Sequence, residues 1–293
     1  MSSEFGFNLD ALVPGMMAEK AEASGVAKVN LGPFRMFALA VLAGAFVALG
    51  AVFATIVTTG ASGAMPYGII KLIGGLAFCL GLILVIGAGA ELFTGNNLIV
   101  MAWAHRKVTT SQLLRNWSIV YVGNFVGALL TAVGILLTKQ YTFNSGAIGL
   151  NALNIANGKV QLDFVQAMML GVFCNALVCL AVWLCIGARS ATDKILAILF
   201  PVTAFVAAGF EHSVANMFFI PMGLLIKATA GAEFWGAIGK TAVDYSHLTW
   251  SNFFVVNLLP VTIGNVIGGA LMVGGVYWFI YIRPTWTHAG AKA

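Results

Sequence analysis

Charge is the scarcest property of this chain. Asp, Glu, Lys and Arg make up 9% of its 293 residues, where soluble domains carry about a quarter. Hydrophobic residues account for 60%, and the mean hydropathy is +0.95. These values exclude a soluble globular domain and point to an integral membrane protein. No run of five basic residues occurs, so the net charge of +5 supplies no nucleic-acid-binding patch. The four cysteines, Cys79, Cys174, Cys179 and Cys185, form no C-x-x-C pair and have no histidine at metal-ligand spacing beside them. They read as small buried hydrophobes, and neither a metal nor any other cofactor is implied. The H-E-x-x-H signature of zinc proteases is absent. The first 30 residues carry Glu4, Asp10, Glu19, Lys20, Glu22 and Lys28 without an apolar core, so no cleavable signal peptide is expected.

What is present is a series of long uncharged runs. Six membrane spans are expected: 34–58, the long stretch 72–104, 116–138, 164–187, the long stretch 195–226 and 252–281. Leu72–Ala104 is 33 residues and Ile195–Ile226 is 32. A span takes about 20 helical residues, so each is too long for one span and too short for two. The first contains a single charge, Glu91; the second contains the adjacent pair Glu211 and His212. Charge at membrane depth is costly and marks a cavity or a partner. Matching interruptions in the two halves of a chain point to broken helices lining a transport path. Ahead of the spans, Phe5–Ala23 reads as an amphipathic interfacial helix with Phe7, Leu12, Met16 and Met17 on its apolar side, or as an unstructured tail. The chain thus divides into an N-terminal segment 1–33, a transport domain 34–282 and a tail 283–293.

Six spans put both termini on one side. That side would carry Lys20, Lys28, Arg35, Arg106, Lys107, Arg115, Arg189, Lys194, Arg283 and Lys292. The other would carry Lys71, Lys139, Lys159, Lys227 and Lys240. This bias, with every arginine in the first group, places the termini in the cytoplasm. Internal repetition is also visible. Gly44-x-Phe46 recurs as Gly171-x-Phe173, Gly89-x-Glu91-x-x-x-x-Asn96 as Gly209-x-Glu211-x-x-x-x-Asn216, and Gly123-Asn124-x-x-Gly127 as Gly264-Asn265-x-x-Gly268. With three spans per repeat, the halves must be inverted. The fold class is therefore all-α and membrane-integral, with six helices in two inverted three-helix repeats and the second and fifth broken.

Glu91 and Glu211 occupy equivalent positions and are expected to hold each break open by bonding the freed backbone amides, rather than to touch a solute directly. His212 has Leu92 as its counterpart. An imidazole there can donate to an anion and exchange a proton near neutral pH, although an isolated histidine in an apolar span is commonly structural. Thr94 and Asn265 can hydrogen-bond a small solute or simply link helices. Phe78, Leu82, Leu92 and Phe205 either pack or form apolar constrictions. Neither break contains the Asn-Pro-Ala tripeptide expected of a water or glycerol channel, which leaves an aquaporin-like neutral-solute channel as the weaker reading.

The runs Gly87-Ala88-Gly89-Ala90-Glu91-Leu92-Phe93-Thr94-Gly95, 171–181, 208–217 and Val261-Thr262-Ile263-Gly264-Asn265 resemble signatures of the formate/nitrite transporter family, and the likeness extends over nearly the whole chain. Thr58–Pro66 and Phe219–Gly223 are more similar to the formate-conducting branch than to the nitrite or hydrosulfide branches. Glu91 stands where some formate channels carry Asp. The resemblance implies an aquaporin-like protomer, a homopentamer surrounded by membrane lipid, and passage of formate or similar small monocarboxylates in either direction across the bacterial inner membrane. It also implies that His212 and Thr94 form a central polar pair with Asn265 nearby, that Phe78, Leu82, Leu92 and Phe205 form the constrictions, and that Lys159, with Glu211 and Asn175, tunes the field that draws anions in.

Overall fold

The computed structural model describes residues 11–283. Residues 1–10 and 284–293, with Phe7 and nearly all of the expected tail, lie outside the described residues. The described chain is helical apart from one isolated bridge between Ser62 and Met65. In order come α1 (Pro14–Val29), α2 (Pro33–Val57), α3 (Tyr67–Ala88), a 3-10 turn Gly95–Ile99 running into α4 (Val100–Ala104), α5 (Thr110–Leu137), α6 (Ala147–Lys159), α7 (Phe164–Gly187), α8 (Ala191–Ala207), α9 (Ser213–Thr229) and α10 (Ala232–Ile238). The last span, residues 250–282, is a continuous helix in which α turns alternate with π turns at Phe253–Leu258, Ile267–Gly275 and Trp278–Ile282.

Among the described residues, five helices are long and apolar enough to cross a membrane. The fifth span is split into α8 and α9, each of 17 residues, and the second is split between α3 and α4. Both breaks lie where the sequence places its isolated acids. Some helices outrun their uncharged cores because charge marks membrane depth rather than helix ends. The α5 helix begins at Thr110, ahead of Arg115, because Thr109 and Gln112 close a capping box. Ser190 and Asp193 do the same for α8. That cap holds the exposed Asp193 carboxyl below its usual range through hydrogen bonds from Ser190 and Arg189.

The helices pack as two similar sets. A side chain at Gly127 of α5 would fall on the Val41 carbonyl of α2, and one at Gly268 of the last span on the Val172 carbonyl of α7. Only glycine permits such close crossings. These contacts correct the register read from the sequence. Asn124 donates to Ala40 O and Asn265 to Gly171 O, so Ala40, not Gly44, is the counterpart of Gly171. The true counterpart of Gly44 is Asn175, one helical turn along. The Gly-x-Phe match was a coincidence of abundant glycine.

Of the expected N-terminal helix, residues 5–10 lie outside the described residues; α1 begins at Pro14 and runs on past Ala23 to Val29. Met17, Ala18 and Ala21 pack with Met101, Trp183 and Ile282, while Met16 faces outward. Glu22 is buried against His105 and Lys107 at the end of α4. The α1 helix is therefore bound across the span ends.

Candidate functional site

Each break is built to one plan. The α3 helix ends at Gly89 with φ +74° and the α8 helix is followed by Gly209 with φ +73°, a left-handed conformation that favours glycine. The turn closes by Ala90 N–H donating to Val85 O and Phe210 N–H to Phe205 O, both at 2.9 Å. Glu91 N–H then donates to Leu39 O of α2, and Glu211 N–H to Leu170 O of α7. One asparagine clamps the extended segment of each break. Asn124 Oδ1 accepts from Phe93 N–H at 2.9 Å while its Nδ2 donates to Ala40 O and Glu91 O. Asn265 Oδ1 accepts from Ser213 N–H at 2.9 Å while its Nδ2 donates to Gly171 O and Glu211 O.

The acids are also matched, but not in the way the sequence led us to expect. Freed backbone amides go to the asparagines, and the carboxylates are paired instead. Glu91 accepts from Lys28 Nζ at 2.7 Å and Asn96 Nδ2 at 2.7 Å. Glu211 accepts from Lys159 Nζ at 2.8 Å, Asn216 Nδ2 at 2.6 Å and Asn257 Nδ2 at 3.2 Å. Asn96 also reaches Asn116, as Asn216 reaches Asn257. Asn116 and Asn257 donate in turn to the carbonyls of Lys28 and Lys159. A buried carboxylate held by an ammonium and one amide, as Glu91 is, or two, as Glu211 is, keeps its charge compensated without bulk water.

Symmetry stops at the centre. Thr94 Oγ1 lies 2.8 Å from His212 Nε2, and both residues are buried. Their counterparts, Val214 and Leu92, are apolar. His212 is also the N-cap of α9, its Nδ1 accepting from Ala215 N–H at 3.1 Å. A backbone N–H can only donate, so in the neutral ring Nδ1 carries no proton and the hydrogen sits on Nε2. Nε2–H then donates to Thr94 Oγ1. The threonine's own hydroxyl hydrogen is left for another acceptor. From behind, Asn175 Nδ2 lies within hydrogen-bonding reach of Thr94 O, Asn97 Oδ1 and Asn265 O.

Aromatic rings lead to this pair. Phe205 stacks on His212 with centroids 6.0 Å apart, even though the helix between them is broken. Phe78 meets Phe205 edge-on at 5.8 Å and stacks on Phe219 at 6.4 Å. Lys159 Nζ stands 5.4 Å from the Phe219 ring centre. Leu82 and Leu92 are buried in the same apolar cluster.

The structure brings His212, Thr94, Phe205 and Phe78 together. Asn265 lies nearby, bonded to Ser213 N–H beside His212, with its amide committed to the backbone of the break rather than to the polar pair. Asn175 supports Thr94 through the threonine's backbone carbonyl and is not hydrogen-bonded to the Lys159–Glu211 pair. Sequence reasoning missed Lys28, Asn116, Asn257, Asn124 and Phe219. Asn124 lay inside the matched Gly-Asn motif and was recoverable from it. Lys28 lay outside the spans, where no pattern flagged it. Among the described residues, no group of three or more His, Cys, Asp or Glu is placed to hold a metal.

Comparison with known proteins agrees with the fold. Residues 15–279 match the family described as formate/nitrite transporter. The formate channel FocA of Escherichia coli (strain K12) is 49% identical over 279 residues, 95% of this chain and 98% of that protein. A probable formate transporter of Methanothermobacter thermautotrophicus is 41% identical over 87% of this chain and 91% of its own length. A solved pentameric formate channel with formate bound superposes with a TM-score of 0.82 and 48% identity, covering 85% of this chain and 98% of that one. An FNT family ion channel superposes at 0.77 with 26% identity, over 90% and 98% of the two chains. With its two inverted halves, its paired breaks and a family match over nearly its whole length, this integral, multi-pass membrane protein belongs to the formate/nitrite transporter family.

Proposed function

We propose that this protein carries formate, and similar small monocarboxylates, in both directions across the bacterial inner membrane, through a path inside each subunit of a homopentamer. It acts as a transporter rather than an enzyme, with 34–282 as the transport domain and both termini in the cytoplasm. The relatives named for formate support the substrate, and the pentameric relative supports the assembly. The observation that carries the reading is the Thr94–His212 pair, one polar contact supplied by each broken span in an otherwise apolar path.

An anion pays heavily to enter an apolar constriction, whereas a neutral acid does not. The Thr94 hydroxyl, polarised by Nε2–H, offers a donor at the point of greatest desolvation, and Phe78, Leu82, Leu92 and Phe205 narrow the path around it. Lys159, paired with Glu211, presents positive charge on one approach to it, and Lys28, paired with Glu91, on the other. A proton on Nδ1 would compete with the Ala215 N–H, so protonation of His212 is coupled to opening the α9 cap. His212 thereby links permeation to pH, favouring formate release at neutral pH and uptake as the outside acidifies.

The test is flux of labelled formate through purified protein in liposomes. The parent should conduct it, and Thr94→Val, which removes the hydroxyl at nearly constant volume, should lower it by about tenfold, roughly the value of one hydrogen bond to a charged group. A parent protein inert to formate would refute the reading. Cysteine labelling between Lys139 and Lys159 should occur from outside; labelling solely from the cytoplasm would reverse the topology.

A further inference from the structure

Phe219 is set apart within α9. Its neighbours Phe218 and Ile220 are buried, while Phe219 itself is partly exposed. It begins the aromatic row that continues through Phe78 and Phe205 to His212, so it is the most accessible ring of the row. Its face is occupied by the Lys159 ammonium, 5.4 Å from the ring centre, and that ammonium is itself fixed by Glu211 at 2.8 Å. Stacked on one ring and covered by a tethered cation, Phe219 has little freedom to turn aside. The ring also lines a cavity of about 20 Å³, with Val52, Thr55, Ala152, Phe218 and Met222, room for roughly one water molecule.

We propose that Phe219 sets the size limit for solutes on the Lys159 side of the path. This inference rests on the formate-transport reading above. A carboxylate drawn towards Lys159 must slide past a ring that the same lysine holds in place. Formate presents only a hydrogen opposite its carboxylate; acetate presents a methyl group that has to clear the ring edge. One such group in a tight apolar passage changes discrimination by about tenfold or more. Truncating the ring would join the water-sized cavity to the path and relax that limit without altering Thr94 or His212.

The experiment compares formate and acetate flux in proteoliposomes for the parent, Phe219→Leu, Phe219→Ala and Phe219→Trp, with oligomer elution and thermal midpoint recorded for each. The acetate-to-formate ratio should rise about tenfold in the alanine variant, rise less in the leucine variant and fall in the tryptophan variant. A correctly assembled Phe219→Ala protein with the parental ratio overturns the proposal. Should that variant fail to assemble, unchanged ratios in both Phe219→Leu and Phe219→Trp overturn it equally. A parent that carries neither anion defeats the transport reading itself, a result distinct from either of these.

Discussion

The two halves of this protein share a frame but not a centre. Residue for residue, Gly89 and Gly209 turn the chain, Asn124 and Asn265 clamp it, and Glu91 and Glu211 pair with a lysine and asparagines. Between these fixed points the halves diverge. His212 faces across from the half that has Leu92, and Thr94 from the half that has Val214. Asn175 replaces Gly44 and braces the Thr94 carbonyl. The frame solves a problem common to both halves, because a broken helix inside a bilayer must satisfy its backbone internally. The centre needs a single polar contact, and two unlike residues supply it, one from each half. Symmetry marks what holds the breaks; in the function proposed above, asymmetry marks what handles the solute.

The comparison is most severely tested at the acids. Glu211→Ala strands the Lys159 ammonium, whose side chain is only 17% exposed, and should cost about 3–5 kcal/mol. Glu91→Ala should cost less, because Lys28 is 29% exposed and can turn to water. Thermal midpoints of the two purified variants give the order; a larger loss for Glu91→Ala would contradict the pairing scheme. Asn124→Ala and Asn265→Ala come next. Each leaves one backbone N–H of the break without its acceptor, at a cost of about 1–3 kcal/mol. The two should fall by similar amounts, and a path role for Asn265 would instead show as a flux defect without loss of stability. Smaller again is the effect of Phe205→Ala. If assembly survives, it should admit larger carboxylates with a change in selectivity of about tenfold; unchanged selectivity would make Phe205 plain packing.

Much of this was legible in the sequence, for a physical reason. An acid in a long apolar run contrasts with everything around it, so both breaks and the Glu211–His212 pair stood out before any coordinates. What could not be read had no contrast. Phe219 is one phenylalanine among 21, and only its place beside Lys159 distinguishes it. Lys28 sits in a polar segment where a lysine is unremarked, and its bond to Glu91 spans 63 residues. The partners of the acids were misread because the sequence shows a need for compensation but not its source: lysine and asparagine side chains from other helices met it, leaving the freed amides to Asn124 and Asn265. The register of the first repeat was misplaced by one turn because glycine is too common in this chain, 34 residues, to fix an alignment without the helix crossing.

The most direct test of the asymmetric centre is the pH dependence of formate flux in proteoliposomes from about pH 5 to 8, the range in which histidine titrates, for the parent and His212→Asn. Asparagine is a good N-cap, so the α9 cap survives, while the stacking on Phe205 and the bond to Thr94 are lost. The account predicts a parent flux that varies through this range and a folded, oligomeric variant whose flux does not. Superimposable profiles would show that His212 serves only as the cap of α9, and the central claim would fail.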